Sequence, residues 1–278
     1  MTASLIPRRI AVVTGASSGI GRAIALRLAA DGLDLVLGCR TDVDGAERTA
    51  AEAAELGSDD VRIFQLDLAR PVGAAAALEA ALDDRGIDIF VNNAGVNRRA
   101  WFLDEDIAVM DHIFAVDLTG PLACCQVAAR HMVTQGRGGR IVNVTSLHEH
   151  IPLPGATAYC AAKAALGAVT KVMALELAEH AITVNAVAPG ETATPMNGVP
   201  EHIDAATFSR AAIPAGRPGR PTEVAALVAY LTSPAAAYTT GVSIVIDGGL
   251  ALMAAVANQE QASTLAFATP IPTPKEHS

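Results

Sequence analysis

Seven short runs rich in Ile, Val and Leu, at 10–14, 33–38, 61–66, 87–92, 140–145, 182–188 and 242–246, lack the strict polar–apolar alternation of a strand with one wet face. Between them lie longer alanine-rich stretches of helical period, at 19–31, 42–56, 72–84, 107–135, 159–180 and 221–232. Strands apolar on both faces need cover on both faces, and helical crossovers make their neighbours parallel. The pattern predicts an α/β fold: one doubly wound sheet of about seven parallel strands flanked by helices. No repeat or linker interrupts it, so residues 1–256 are expected to form one domain. Residues 190–220, rich in Pro, Gly and Thr, are long enough for a lid over a site. Residues 257–278, ending TPIPTPKEHS, read as an extended or disordered tail.

Charge narrows the partners. With 20 Lys and Arg against 29 Asp and Glu, the net charge is −9, and no basic stripe suggests a nucleic-acid partner. No stretch approaches the ~20 uninterrupted apolar residues of a membrane span, and no leader pattern opens the chain. A cytoplasmic protein with no membrane partner is the expectation. The four cysteines, Cys39, Cys124, Cys125 and Cys160, form neither a C-x-x-C pair nor a metal-ligand spacing, so reduced thiols and no metal are expected.

The first strand runs directly into TGASSGIG, residues 14–21. Gly15, Gly19 and Gly21 permit a tight turn, with Ser17, Ser18 and Ile20 between them, and bring backbone N–H groups to a helix N-terminus where a pyrophosphate binds. The spacing is wider than G-x-G-x-x-G, but the strand–loop–helix setting is the one a dinucleotide requires. An acid ending the second strand would hold the adenosine 2′-hydroxyl. Here that strand ends in Cys39, followed by Arg40, whose guanidinium suits a 2′-phosphate. NADP(H) is therefore the preferred cofactor, with NAD(H) possible because Asp42 and Asp44 stand close by.

Six motifs together resemble the short-chain dehydrogenase/reductase family over about residues 8–250, in the family's order. TGASSGIG is similar to its cofactor loop, Asp67-Leu68 to its adenine contact, and NNAG, with Asn93, Ala94 and Gly95, to its fourth-strand signature. Ser146, Tyr159 and Lys163 match its catalytic set; PGETAT (189–194) matches its nicotinamide loop, with Pro189, Gly190, Thr192 and Thr194; Asp247-Gly248-Gly249 matches its C-terminal signature. The resemblance implies a Rossmann domain, hydride transfer between an alcohol or carbonyl and NAD(P), contact of Lys163 with the nicotinamide ribose, and a homotetramer paired through long helices. One position departs: VDLTG places Asp117 where the family carries a catalytic asparagine, which leaves a relay role to its backbone carbonyl. The stretch SLHEHIPLP (146–154) is most similar to glucose 1-dehydrogenases, which suggests a sugar or polyol.

The trio makes chemical sense. Tyr159 and Lys163, at i and i+4, share a helix face. A free tyrosine, with a pKa near 10, is a poor base at neutral pH, and a nearby ammonium favours the phenolate. Tyr159 would move the proton, while Ser146 would hydrogen-bond the developing alkoxide. His148, Glu149 and His150, like Asn97, Arg98 and Trp101, either line the substrate mouth or face water. A 3-oxoacyl thioester reductase is the alternative enzyme and a weakly catalytic nucleotide-binding scaffold the alternative class. Helices 107–135 and 159–180 carry apolar residues on more than one face, as an oligomer requires.

Overall fold

A computed structural model of the chain describes residues 8–200 and 202–253; the tail expected at 257–278 lies outside them. The strands are β1 (Ile10–Thr14), β2 (Asp34–Cys39), β3 (Val61–Gln65), β4 (Ile89–Asn92), β5 (Gly139–Val144), β6 (Ile182–Pro189) and β7 (Ser243–Ile246). They form one parallel sheet in the order β3-β2-β1-β4-β5-β6-β7. The winding reverses between β1 and β4, and the carboxyl ends of those strands flank the crevice where open α/β sheets bind ligands.

The helices are α1 (Gly19–Ala30), α2 (Val43–Glu55), α3 (Pro71–Leu82), α4 (Ile107–Phe114), α5 (Gly120–Gln135), α6 (Thr157–Leu177) and α7 (Pro221–Thr232). Successive strand residues serve opposite layers. Val12, Val36, Phe90, Ile141 and Val184 pack with Leu78 of α3 and Met132 of α5, whereas Val13, Leu37, Val91 and Val142 pack with Ile24 and Leu28 of α1 and Val228 of α7. All these side chains are buried, which is why the strand sequences show no wet face.

The single helix expected over 107–135 is broken. A π-helical turn, Ala115–Thr119, separates α4 from α5. Pro121 donates no N–H, and its ring would meet the carbonyl four residues back, so one wider turn relieves the clash. Gly120 permits it, because a Cβ there would collide with the Leu68 carbonyl oxygen. The widened turn carries Asp117 into the protein interior.

Ile107–Gln135 and Thr157–His180 are, by length and composition, long and apolar enough to cross a membrane. Here α5 and α6 lie against the sheet, with Cys124, Ala128, Met132 and Ala174 in its core. Only 33% and 39% of their apolar stretches are buried, and Val133, Val172 and Leu175 stand exposed on them.

Candidate active site

The glycine loop is tied to its neighbours by main-chain bonds. The Gly15 and Ala16 N–H groups donate to the Gly38 carbonyl, at 2.8 and 3.2 Å. Gly15 and Gly19 have φ of +68° and +57°, a region that penalises any Cβ. A Cβ on Gly21 would run into the Gly15 carbonyl and the Asn93 amide. Asn93 is a clamp: its Nδ2 donates to the Thr14 carbonyl at 2.9 Å and to that of Gly15 at 3.3 Å. The Asn93 and Ala94 N–H groups return to Thr14 Oγ1, at 2.9 and 3.0 Å. Ser18, the N-cap of α1, does not spend its hydroxyl on capping. A glycine-lined cradle opening on the amides of α1, with the Ser18 hydroxyl uncommitted, fits the pyrophosphate of a dinucleotide.

The cleft continues past Ser17 to Arg40, Thr41, Asp67 and Leu68. Cys39 ends β2 as a neutral group, since burial and then the Asp42 charge push its thiol up. The Asp42 carboxylate caps α2, accepting from Gly45 N–H at 3.0 Å. Arg40 is exposed and, among the described residues, has no ion-pair partner; only its carbonyl is engaged, by Gln65 Nε2 at 3.1 Å. This corner offers the Arg40 cation beside the exposed Asp42 carboxylate, whose Oδ1 is taken by the α2 cap. Asp67 spends Oδ1 on the Ala69 N–H at 3.1 Å, which fixes the turn that follows β3.

A second cavity joins the first across Ile20, Gly95, Val96, Thr194 and Met196. It brings together Ser146, from the end of β5, Tyr159 and Lys163, from α6, and the 189–194 segment leaving β6. Ser146 Oγ accepts the His148 N–H at 3.1 Å, which leaves its own proton for a ligand oxygen. Lys163 Nζ lies 5.7 Å from the Tyr159 ring centre, 3.4 Å from the Val144 carbonyl and 3.4 Å from Asp117 Oδ2. Asp117 is wholly buried and its Oδ1 accepts the Val96 N–H at 2.8 Å. Burial pushes the Asp117 carboxyl up, against the pull of Lys163. Burial also works to lower Lys163, but the charges of Asp117 and Tyr159 outweigh it and hold the ammonium above its usual range.

His148 and Asn97 line this cavity; Arg98 is exposed and lines neither cavity, while Arg99, one residue on, takes the place expected of it. Glu191, Leu153, Asn197 and Leu250 also form the wall. Leu250 is placed by the Asp247-Gly248-Gly249 turn: Asp247 accepts from the Gly249 and Ala251 N–H groups, and both glycines have positive φ. Gly190 is forced by the same turn, since a Cβ there would stand 2.7 Å from the Asp247 Cβ. Within 190–220, Ala193, Val199 and Ala205 make a small core, and Arg210–Glu191 and Arg220–Asp204 ion pairs fasten it. This segment forms a wall shared by both cavities, with Thr194 and Met196 at the junction.

Residues 15–251 match the family described as enoyl-(acyl carrier protein) reductase. An Escherichia coli K12 protein entitled "Uncharacterized oxidoreductase YohF" is 49% identical over 245 residues, which span 88% of this chain and 96% of that one. The crystal structure of acetoin dehydrogenase YohF from Salmonella typhimurium superposes with a TM-score of 0.83 at 47% identity, covering 88% of this chain and 97% of that one. The acetoin dehydrogenase structure from Enterobacter cloacae gives 0.81 at 43% identity, over 96% and 100% of the two chains.

Gly21→Ala is expected to fold with its loop displaced and to lose dinucleotide affinity at least tenfold. Fluorescence titration with a reduced dinucleotide, beside a thermal melt, measures this; wild-type affinity would show that the cradle is not the phosphate site.

Proposed function

This chain belongs to the short-chain dehydrogenase/reductase family, an oxidoreductase of CH–OH groups using a nicotinamide dinucleotide, and we propose that it interconverts a small neutral α-hydroxy ketone and its vicinal diol, with NADP(H) preferred. The reading is carried by His148. Its Nδ1 lies 3.0 Å from the Ile151 carbonyl, which can only accept, so Nδ1 bears the proton. In the neutral ring Nε2 is then an acceptor, and the ring packs edge-on to Tyr159, with 6.4 Å between centres. A substrate with a second hydroxyl beside the reacting carbon satisfies it. The same chemistry describes polyols and sugars, and the relatives titled acetoin dehydrogenase support its smallest form. A carrier-bound 3-oxoacyl thioester would need a cationic landing surface, which a net charge of −9 does not favour.

A nicotinamide dinucleotide, when bound in this cleft, would supply or accept the hydride. Ser146 donates its free hydroxyl proton to the substrate oxygen and steadies the charge growing there. Tyr159 gives that oxygen a proton during reduction and removes it during oxidation. Lys163 places its positive charge beside the phenol. Arg40 would pair with the 2′-phosphate through its unengaged guanidinium.

We also propose a homotetramer. Two separate apolar faces lie exposed: one on α5 and α6 with Val133, Val172 and Leu175, and one around α7 and the edge strand β7 with Tyr230, Tyr238 and Val245. Two distinct self-complementary faces generate a closed assembly of four.

Purified protein should consume NADPH with acetoin, and Tyr159→Phe should lower that rate by ~10²–10⁴-fold while cofactor affinity stays close to wild type. Unchanged turnover in the variant would end the mechanism, and turnover confined to other alcohols would end the substrate assignment. Arg40→Ala should weaken NADPH binding by roughly 10–100-fold, the worth of a charge-assisted bond, and leave NADH almost untouched; equal losses for both would refute the 2′-phosphate contact. Light scattering should give four chains, and Leu175→Asp should reduce the mass to that of a smaller assembly. A wild-type monomer at micromolar concentration would disprove the tetramer.

A further inference from the structure

Asp117 has a feature that its place in the chain does not explain. Its carboxylate is wholly buried, Oδ1 is engaged by Val96 N–H, and Oδ2 is held by an ion pair with Lys163 Nζ at 3.4 Å. The two charges meet beneath Gly95, where a Cβ would sit 3.3 Å from both Oδ2 and Nζ. Lys163 therefore faces an anion on one side and the Tyr159 ring on the other. An amide at position 117 would keep the Val96 bond but bring no charge.

We propose that the Asp117 carboxylate acts through Lys163 as a positioning and charge-tempering residue, which holds the pH window of the proton transfer on the alkaline side of where a neutral residue would set it. The proposal rests on the reading of Tyr159 and Lys163 as the proton-transfer pair. Removing one negative charge from a coupled cluster makes every remaining proton easier to lose, and the macroscopic midpoints belong to the cluster as a whole. Burial and the ion pair act on Asp117 and Lys163 in the directions already described, both upward.

The surroundings contain few other titrating groups. From α4, His112 adds a weaker favourable charge towards Asp117. His148 packs on the far side of Tyr159. Glu149 rests against α6 at Gly167, and its Oε2 accepts from Thr145 and Ser243, at 2.6 and 2.9 Å. Of these groups only Asp117 forms an ion pair with Lys163.

The test compares wild type, Asp117→Asn and Asp117→Ala by the pH dependence of kcat in oxidation and reduction, with acetoin and its diol as substrates. Reduced-dinucleotide affinity is followed against pH by fluorescence. Both variants should move the kinetic midpoints and the pH at which binding fails down by about one unit. In a Lys163→Met background, Asp117→Asn should leave the binding profile unmoved, because the effect passes through the ammonium. Lower activity at all pH values with unmoved midpoints would mean a structural or backbone role alone and would overturn the proposal, as would an upward shift. The binding arm decides the matter even if acetoin proves not to be a substrate, and thermal melts confirm that each variant is folded.

Discussion

Thr14 and Asn93 join the ends of β1 and β4 where the winding of the sheet reverses, and the rest of the site hangs on that junction. Four hydrogen bonds of 2.9–3.3 Å link Thr14, Gly15, Asn93 and Ala94. Two strands whose crossovers lie on opposite sides of the sheet have no helix to close the gap between their ends. Side chains and loop backbone must close it instead, and here they also set the glycine turn. The cradle and the reacting centre therefore share one foundation: Gly95, three residues past β4, leads from the clamp to the space above Asp117 and Lys163.

Buried polar side chains behind that foundation bond the strands to one another and to the helices. Asn143 on β5 accepts from Asn92 Nδ2 at 3.2 Å and donates to Thr170 of α6 at 2.8 Å, so strand and helix are bonded through the core. Asp88 binds the Ile10 N–H and Arg137 at the opposite end of the sheet, at 2.8 and 2.7 Å. Asn92 Oδ1 and Asp117 Oδ2 are among the exceptions, and Oδ2 is met instead by the Lys163 ammonium at 3.4 Å.

The sheet was legible because each strand is buried twice, and that leaves a run of apolar letters which no half-exposed strand produces. All seven strand positions agree to within a few residues. The break at 115–119 was also written in the chain, as Gly120-Pro121, but a helical period that resumes beyond it hides a single widened turn. The i and i+4 spacing of Tyr159 and Lys163 foretold a shared helix face, and both line one cavity from α6. Arg99 and Leu250 could not be placed from local spacing. Which of two adjacent arginines meets the cavity depends on the backbone direction after β4. Leu250 enters only because the Asp247 turn folds a distant segment back across β6.

The two halves of the cleft differ in how they respond to pH. Arg217–Glu223 and Arg220–Asp204 pairs brace the 190–220 wall, and hydrogen bonds from the two arginines hold both carboxylates at about 2. Groups lowered in this way contribute stability above their unfolded pKa, near 4, and lose it only as pH falls towards 2. The pairs are largely exposed and individually weak, so the wall coheres mainly through Ala193, Val199 and Ala205 and its backbone bonds. Nothing in these pairs titrates between mildly acidic and alkaline pH. A pH dependence of turnover in that range therefore originates outside these pairs, among the groups that line the inner cavity.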